Sequence, residues 1–225
     1  MNKNNLILER TAKSTEVLLA YFLHEKVYPN EILYIGDGNG KFPDIHTADG
    51  SIGIEVVQAE FAEDFASNMI WKKYDEFKGN ARKLKSYIKA KLSNFDTTLF
   101  IKNNKVEAWS TTLSGHSAYY SKHIFERAMN KKLGKLNDGH YASITGEINL
   151  GIVSIFRAKP DRIIKDIQEK YLYLKQYYKL NFNKIFVLFT DAFFEISENG
   201  IKKHKISNDE LEELKINFKK LKPQK

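Results

Sequence analysis

Apolar residues along the chain alternate between two spacings, one helical and one extended. From about Ser14 to Leu23, Val17, Leu18, Tyr21 and Phe22 recur at helical spacing, with Ser14 or Thr15 as cap. Pro29-Asn30 breaks that helix. Three short extended runs follow: Glu31–Ile35, Phe42–Thr47 and Ile52–Gln58. They are separated by the turn-forming stretches Asp37-Gly38-Asn39-Gly40 and Ala48-Asp49-Gly50, which predicts a compact three-strand meander. A long helical region spans roughly Phe61–Leu92. Thr97–Ile101 and Val106–Ser110 flank Asn103-Asn104 as a hairpin, and Ser121–Leu136 is again helical. Ile148–Ile155 is nearly continuously apolar, as expected of a strand covered on both faces. Asp161–Tyr178 carries Ile164, Ile167, Tyr171 and Leu174 on one helical stripe. Lys184–Phe189 is a second buried strand. Ala192–Ile196 and Ile201–Ile206 flank Glu198-Asn199-Gly200 as a hairpin. A last helix, Asp209–Leu221, presents Leu211, Leu214, Phe218 and Leu221. This order predicts an α/β fold, a mixed central sheet flanked by helices, in one domain with an insertion at about 93–120.

Composition narrows the class. The apolar share, 42%, is enough for a core, and the absence of Cys excludes disulfides, thiolate metal sites and a Cys nucleophile. No apolar run approaches the ~20 residues of a membrane span. The N-terminus MNKNNLILER has no apolar h-region, which argues against secretion and for a cytoplasmic protein. The formal charge of +8 points to a polyanionic partner or to a merely Lys-rich surface. Its distribution is uneven. Residues 71–91 carry eight positive and two negative charges, and residues 121–136 carry five and one. These two segments hold more than the whole excess, so Lys72, Lys73, Lys78, Arg82, Lys83, Lys85 and Lys131 are candidate phosphate contacts. Tyr74, Tyr87, Tyr119 and Tyr120 are interleaved with them. Most such runs are solvated helical faces, but a net of +6 within residues 71–91 exceeds what that reading explains and favours phosphate contact.

The candidate chemistry lies in the meander. Phe42-Pro43-Asp44-Ile45 and Gly53-Ile54-Glu55-Val56-Val57-Gln58 each place a carboxylate among apolar strand residues. Strands seldom carry an unpaired charge at such positions, because burying it is costly. A turn near Asp49-Gly50 would bring Asp44 and Glu55 roughly opposite each other, within reach of one cation. Two carboxylates with a strand carbonyl make a hard oxygen site suited to Mg²⁺ or Mn²⁺.

These residues and the order of elements around them resemble the PD-(D/E)xK nuclease superfamily, with its restriction-endonuclease-like core. Pro43-Asp44 is similar to its PD, and Glu55 to its second acid. The resemblance implies a metal-dependent endonuclease acting on DNA, a type II restriction endonuclease being the most natural subclass, while a phage or repair nuclease fits the composition equally well. It implies Asp44, Glu55 and the Val56 carbonyl as metal ligands, with a homodimer as one way to cut both strands. The superfamily's lysine position is Val57 here. Gln58 is one candidate replacement. A lysine borrowed from a neighbouring helix is another: Lys132 and Lys135 are placed before the apolar strand 148–155, and the stretch Lys72–Lys85 offers others.

Glu16 could add an acid from the first helix, as superfamily members often do, or be a solvated helix residue; Glu9 is weaker. Glu60 could extend the acidic cluster. His46 follows Asp44 by two residues and could share its face, although a polar strand-end residue is the favoured reading. No HxH or HExxH spacing occurs among the six His. Ser114-Gly115-His116-Ser117 lacks a nucleophile elbow, and the 37–40 turn lacks a Walker lysine. A non-catalytic nucleic-acid-binding protein and a plain interaction protein remain the competing classes. The proximity of a lysine amine to the Asp44–Glu55 pair separates the first of these from an enzyme.

Overall fold

A computed structural model describes residues 5–10, 12–36, 42–59, 62–93, 95–113, 121–154, 160–189, 191–210 and 212–213. In chain order the elements are β1 (Leu6–Leu8), α1 (Ser14–Lys26), β2 (Leu33–Ile35), β3 (Ile45–His46), β4 (Ile52–Ala59), α2 (Ala62–Glu76), α3 (Ala81–Lys91), β5 (Phe95–Lys102), β6 (Lys105–Leu113), α4 (Ser121–Asn137), β7 (Glu147–Ser154), α5 (Pro160–Tyr177), β8 (Ile185–Leu188), β9 (Ala192–Ser197) and β10 (Gly200–Lys205). The chain forms two compact units, Met1–Ala59 with Lys122–Lys225, and Glu60–Ser121.

The larger unit is built on a mixed eight-stranded sheet in the order β1-β2-β3-β4-β7-β8-β9-β10. The expected meander is present: β2, β3 and β4 are antiparallel neighbours, and β4 then pairs β7 in parallel. Strand side chains alternate between faces. Ile52, Ile54 and Val56 of β4 join Leu19, Phe22 and Leu23 of α1 in one core. Ala59 and Val57 belong to the opposite face, with Phe125, Met129 and Leu133 of α4 and Ile163, Ile167 and Tyr171 of α5. Both faces of β7 and β8 are buried, which explains their continuous apolar runs. The Ile164, Ile167, Tyr171 and Leu174 stripe is buried as the spacing predicts.

The smaller unit packs α2 and α3 on one face of the β5–β6 hairpin. Ala66, Ile70, Leu84, Leu92 and Val106 form its core, and Trp109 Nε1 donates to Ser67 Oγ at 2.9 Å. This unit is longer than the insertion expected at about 93–120, because α2 and α3 share their core with the hairpin.

Several boundaries differ from the expected ones. The helical region of 61–92 is two helices, broken where Lys78 and Gly79 adopt φ values of 51° and 70°. Asn80 then caps α3, its side chain accepting from the Lys83 N–H at 3.0 Å. Strand β1 has only three residues and adds in parallel beside β2; it is too short to show a period in the sequence. The expected strand Phe42–Thr47 contracts to Ile45–His46, because the chain bends at Pro43. The last expected helix lies mostly outside the described residues, as do the 37–40 turn, Glu60, Ser114 to Ser117, Tyr119 and Tyr120.

A close approach fixes the start of the β4–β7 ladder. A Cβ on Gly146 would lie 2.1 Å from the Ser51 carbonyl oxygen, which accepts the Glu147 N–H at 2.8 Å. Gly146→Ala should therefore lower unfolding stability by about 1–3 kcal/mol, read as a lower urea midpoint; an unchanged midpoint would contradict this packing.

Candidate functional site

The meander register places the acidic pair. Ile45 faces Ile54 and His46 faces Gly53, so the same antiparallel register sets Asp44 opposite Glu55. Strand β3 does not continue past Asp44. A Cβ on Gly53 would meet the Pro43 ring at 2.9 Å and the Ile144 side chain at 2.8 Å, so Pro43 folds over a bare glycine and turns the chain away. The Val56 N–H, on the edge of β4 that faces β3, is left to a side chain. Asp44 Oδ2 accepts it at 2.8 Å. The Val56 carbonyl points to the same edge, since a strand residue presents its N–H and C=O on one side. The sequence placed Asp44 within a strand. It stands instead at the strand's mouth, where its carboxylate substitutes for a ladder partner.

Both acids are buried, Asp44 8% and Glu55 4% exposed. Their negative charge is met by lysines from other elements. Lys132 of α4 donates to Glu55 Oε1, and its Nζ lies 3.9 Å from Asp44 Oδ2. Lys135, one turn along the same helix face, reaches Glu55 Oε1 at 3.2 Å. The ammonium of Lys13 lies 3.9 Å from Asp44 Oδ1 and 2.7 Å from Glu16 Oε1. Glu16 is buried at the first turn of α1, where its Oε2 also accepts the Lys13 N–H at 2.8 Å. Glu16 is thus beside the pair, with one oxygen on the N-cap N–H of the helix and the other on the Lys13 ammonium. The hydroxyl-bearing ring of Tyr141 is buried, and burial together with the Glu55 and Asp44 charges raises its pKa.

The structure brings together Asp44, Glu55, Lys132, Lys135 and the Val56 carbonyl edge, with Glu16 alongside. It does not bring Gln58 to them: that side chain is exposed, on the face of β4 opposite Glu55. Val57, two residues after Glu55, is half-buried against the α4–α5 core. His46 serves packing. Its ring stacks between Phe42 and Tyr34 at centroid distances of 4.4 and 5.7 Å, its Nδ1 is 3.3 Å from the Pro43 oxygen, and burial lowers its pKa. Among the candidate phosphate contacts, Lys72, Lys78, Arg82, Lys83, Lys85 and Lys131 are exposed, and Lys73 is paired with Glu76. Lys13 and Tyr141 were not anticipated. Neither has a local signal, since each depends on how α1 and the loop before β7 dock.

The donor set fits a hard divalent cation. The atoms that could donate to it are all oxygens, those of the Asp44 and Glu55 carboxylates and the Val56 carbonyl, the chemistry Mg²⁺ and Mn²⁺ prefer, and the Lys132 ammonium lies against both carboxylates. Among the described residues, no group of three or more His, Asp or Glu side chains forms a metal site, so a carbonyl or water would complete the shell. No protein-family model matches the chain, and neither does any curated protein or solved structure.

The electrostatics have a measurable signature. Burial first and the Glu55 charge second raise the Asp44 pKa from 3.8 to about 6, against the opposing pull of the Val56 N–H. The folded state therefore holds this proton more tightly than the unfolded chain. Its contribution to stability is present at acid pH and lost as pH rises from about 4 to about 6. In EDTA, Asp44→Asn should remove that loss. The variant's melting temperature should rise relative to wild type across this window and stay higher by a few degrees at neutral pH. A constant difference across the window would contradict the assignment.

Proposed function

We propose that this chain is a metal-dependent endonuclease that hydrolyses DNA phosphodiester bonds on a restriction-endonuclease-like core. The observation that carries the reading is the Lys132 ammonium on Glu55, 3.9 Å from Asp44, which supplies from a helix the cation that Val57 lacks. Support also comes from the order of elements, a helix and a three-strand meander followed later by a parallel, fully buried strand.

Asp44, Glu55 and the Val56 carbonyl would hold Mg²⁺ or Mn²⁺. When bound, the ion supplies Lewis-acid polarisation of a phosphate and a lowered water pKa. The chain's own groups do the rest. The Val56 N–H fixes the Asp44 carboxylate in place, and Lys135 holds Glu55. Lys132 offers a preorganised positive charge where negative charge develops on a phosphate, and such a donor is worth roughly 10²–10³ in rate. The basic residues of 71–91 and Lys131 contribute phosphate affinity, and a homodimer would allow both strands to be cut. No helix among the described residues is long and apolar enough to cross a membrane.

Plasmid DNA incubated with Mg²⁺ or Mn²⁺ should be nicked or linearised, and EDTA should stop it. Asp44→Ala and Glu55→Ala should abolish cleavage, and Lys132→Met should lower it by about 10²-fold or more. Cleavage that persists in Asp44→Ala would place the chemistry elsewhere. DNA binding without cleavage under all metals would favour the non-catalytic reading.

A further inference from the structure

The smaller unit carries a cation cluster that its own fold does not neutralise. The β5–β6 turn, Asn103-Asn104, has both residues at positive φ, 48° and 60°, the geometry of a tight hairpin. It sets Lys102 directly opposite Lys105. Like charges facing each other across a ladder are destabilising. The corner between α2 and α3 is bonded onto this tip. The Ala81 N–H donates to the Asn104 oxygen at 3.1 Å, the Val106 N–H donates to the Gly79 oxygen at 2.9 Å, and Asn80 bridges Lys105. Lys78 and Arg82, flanking that corner, are therefore held beside the tip lysines, and all four are exposed. Among the described residues none of the four pairs with a carboxylate.

An apolar surface adjoins these charges. Leu99, Val106 and Trp109 turn inward to α2 and α3. Their strand neighbours Thr98, Phe100, Ala108 and Ser110 are exposed, with Phe100 facing Ala108 across the ribbon. Phe100 is 55% and Ile101 40% exposed. Four unpaired cations select a polyanion, and an exposed ring on a bare ribbon beside them suits a polyanion that also has base edges. A two-stranded ribbon is of a size that the major groove of a DNA duplex admits.

We propose that the β5–β6 hairpin is a groove-entering ribbon for duplex DNA, with Lys78, Arg82, Lys102 and Lys105 on phosphates and Phe100 against base edges. This rests on the DNA reading above, and it locates the contact on one element of the smaller unit.

The test is fluorescence anisotropy with a labelled duplex of about 20 base pairs in EDTA, so that nothing is cut. Wild type, Lys102→Gln/Lys105→Gln and Phe100→Ala are titrated at several salt concentrations, with a single strand and an acidic polypeptide as competitors. The double variant should lose about two units of salt slope, at ~0.9 per phosphate, and roughly tenfold or more in affinity. Phe100→Ala should weaken binding with the slope unchanged. Removing the facing charges should leave the melting temperature at low salt equal or higher, which separates lost contact from lost fold. Wild-type affinity and slope in the double variant would overturn the proposal while leaving DNA binding itself intact. Stronger competition by the single strand or by the acidic polypeptide would overturn it in favour of that partner. Duplex binding that depends on the tip lysines, without cleavage in metal, would sustain the ribbon and remove the nuclease reading.

Discussion

Two carboxylates facing each other inside a protein are the constraint around which the larger unit is arranged. Opposed cross-strand side chains are typically about 5 Å apart, and at an effective dielectric near 20 two like charges at that spacing repel by roughly 3 kcal/mol, apart from the desolvation each has suffered. The structure answers with positive or donor groups from several separate elements. β4 lends a backbone N–H to Asp44, α4 lends Lys132 and Lys135 to Glu55, and Lys13 before α1 stands near Asp44. Burial first and the Glu55 charge second still raise the Asp44 pKa, so its charged form carries a cost in the folded state.

Holding those lysines in place is the work of the core. Met129, Leu133 and Leu136 anchor α4 against the sheet, and Lys132 and Lys135 each precede one of these leucines. Docking the leucines thus delivers the lysines to Glu55 without further design. A lysine on β4 at position 57 would have to coexist with the apolar face that Val57 now helps to fill. A cation supplied from the helix leaves that face apolar and uses the reach of the lysine stem.

The sequence was most informative where periodicity and turn chemistry agreed. The meander, the buried runs of β7 and β8 and the α5 stripe follow directly from alternation, helical spacing and Gly-rich turns. Asp44 and Glu55 stood out because charge interrupts apolar strands, and the Asp49-Gly50 turn was enough to set them opposite. The α4 lysines could be named as donors from their position before β7, but their contact with Glu55 depends on helix docking, which spacing does not encode. The shortened β3 depends on Pro43 closing over Gly53, a contact between residues ten apart. The break at Lys78-Gly79 lies within a run rich in helix formers, and Gly79 with the capping residue Asn80 is its local sign. Lys13 and Tyr141 became visible only with tertiary structure.

The central claim is that the Asp44–Glu55 pair, edged by the Val56 carbonyl, is a divalent-cation centre. Mn²⁺ binding followed by electron paramagnetic resonance tests it without reference to any substrate. The account predicts one saturable site in the wild type that is lost in Asp44→Asn and in Glu55→Gln, both folded. Equal Mn²⁺ binding in the wild type and both variants, or none in the wild type, would contradict it.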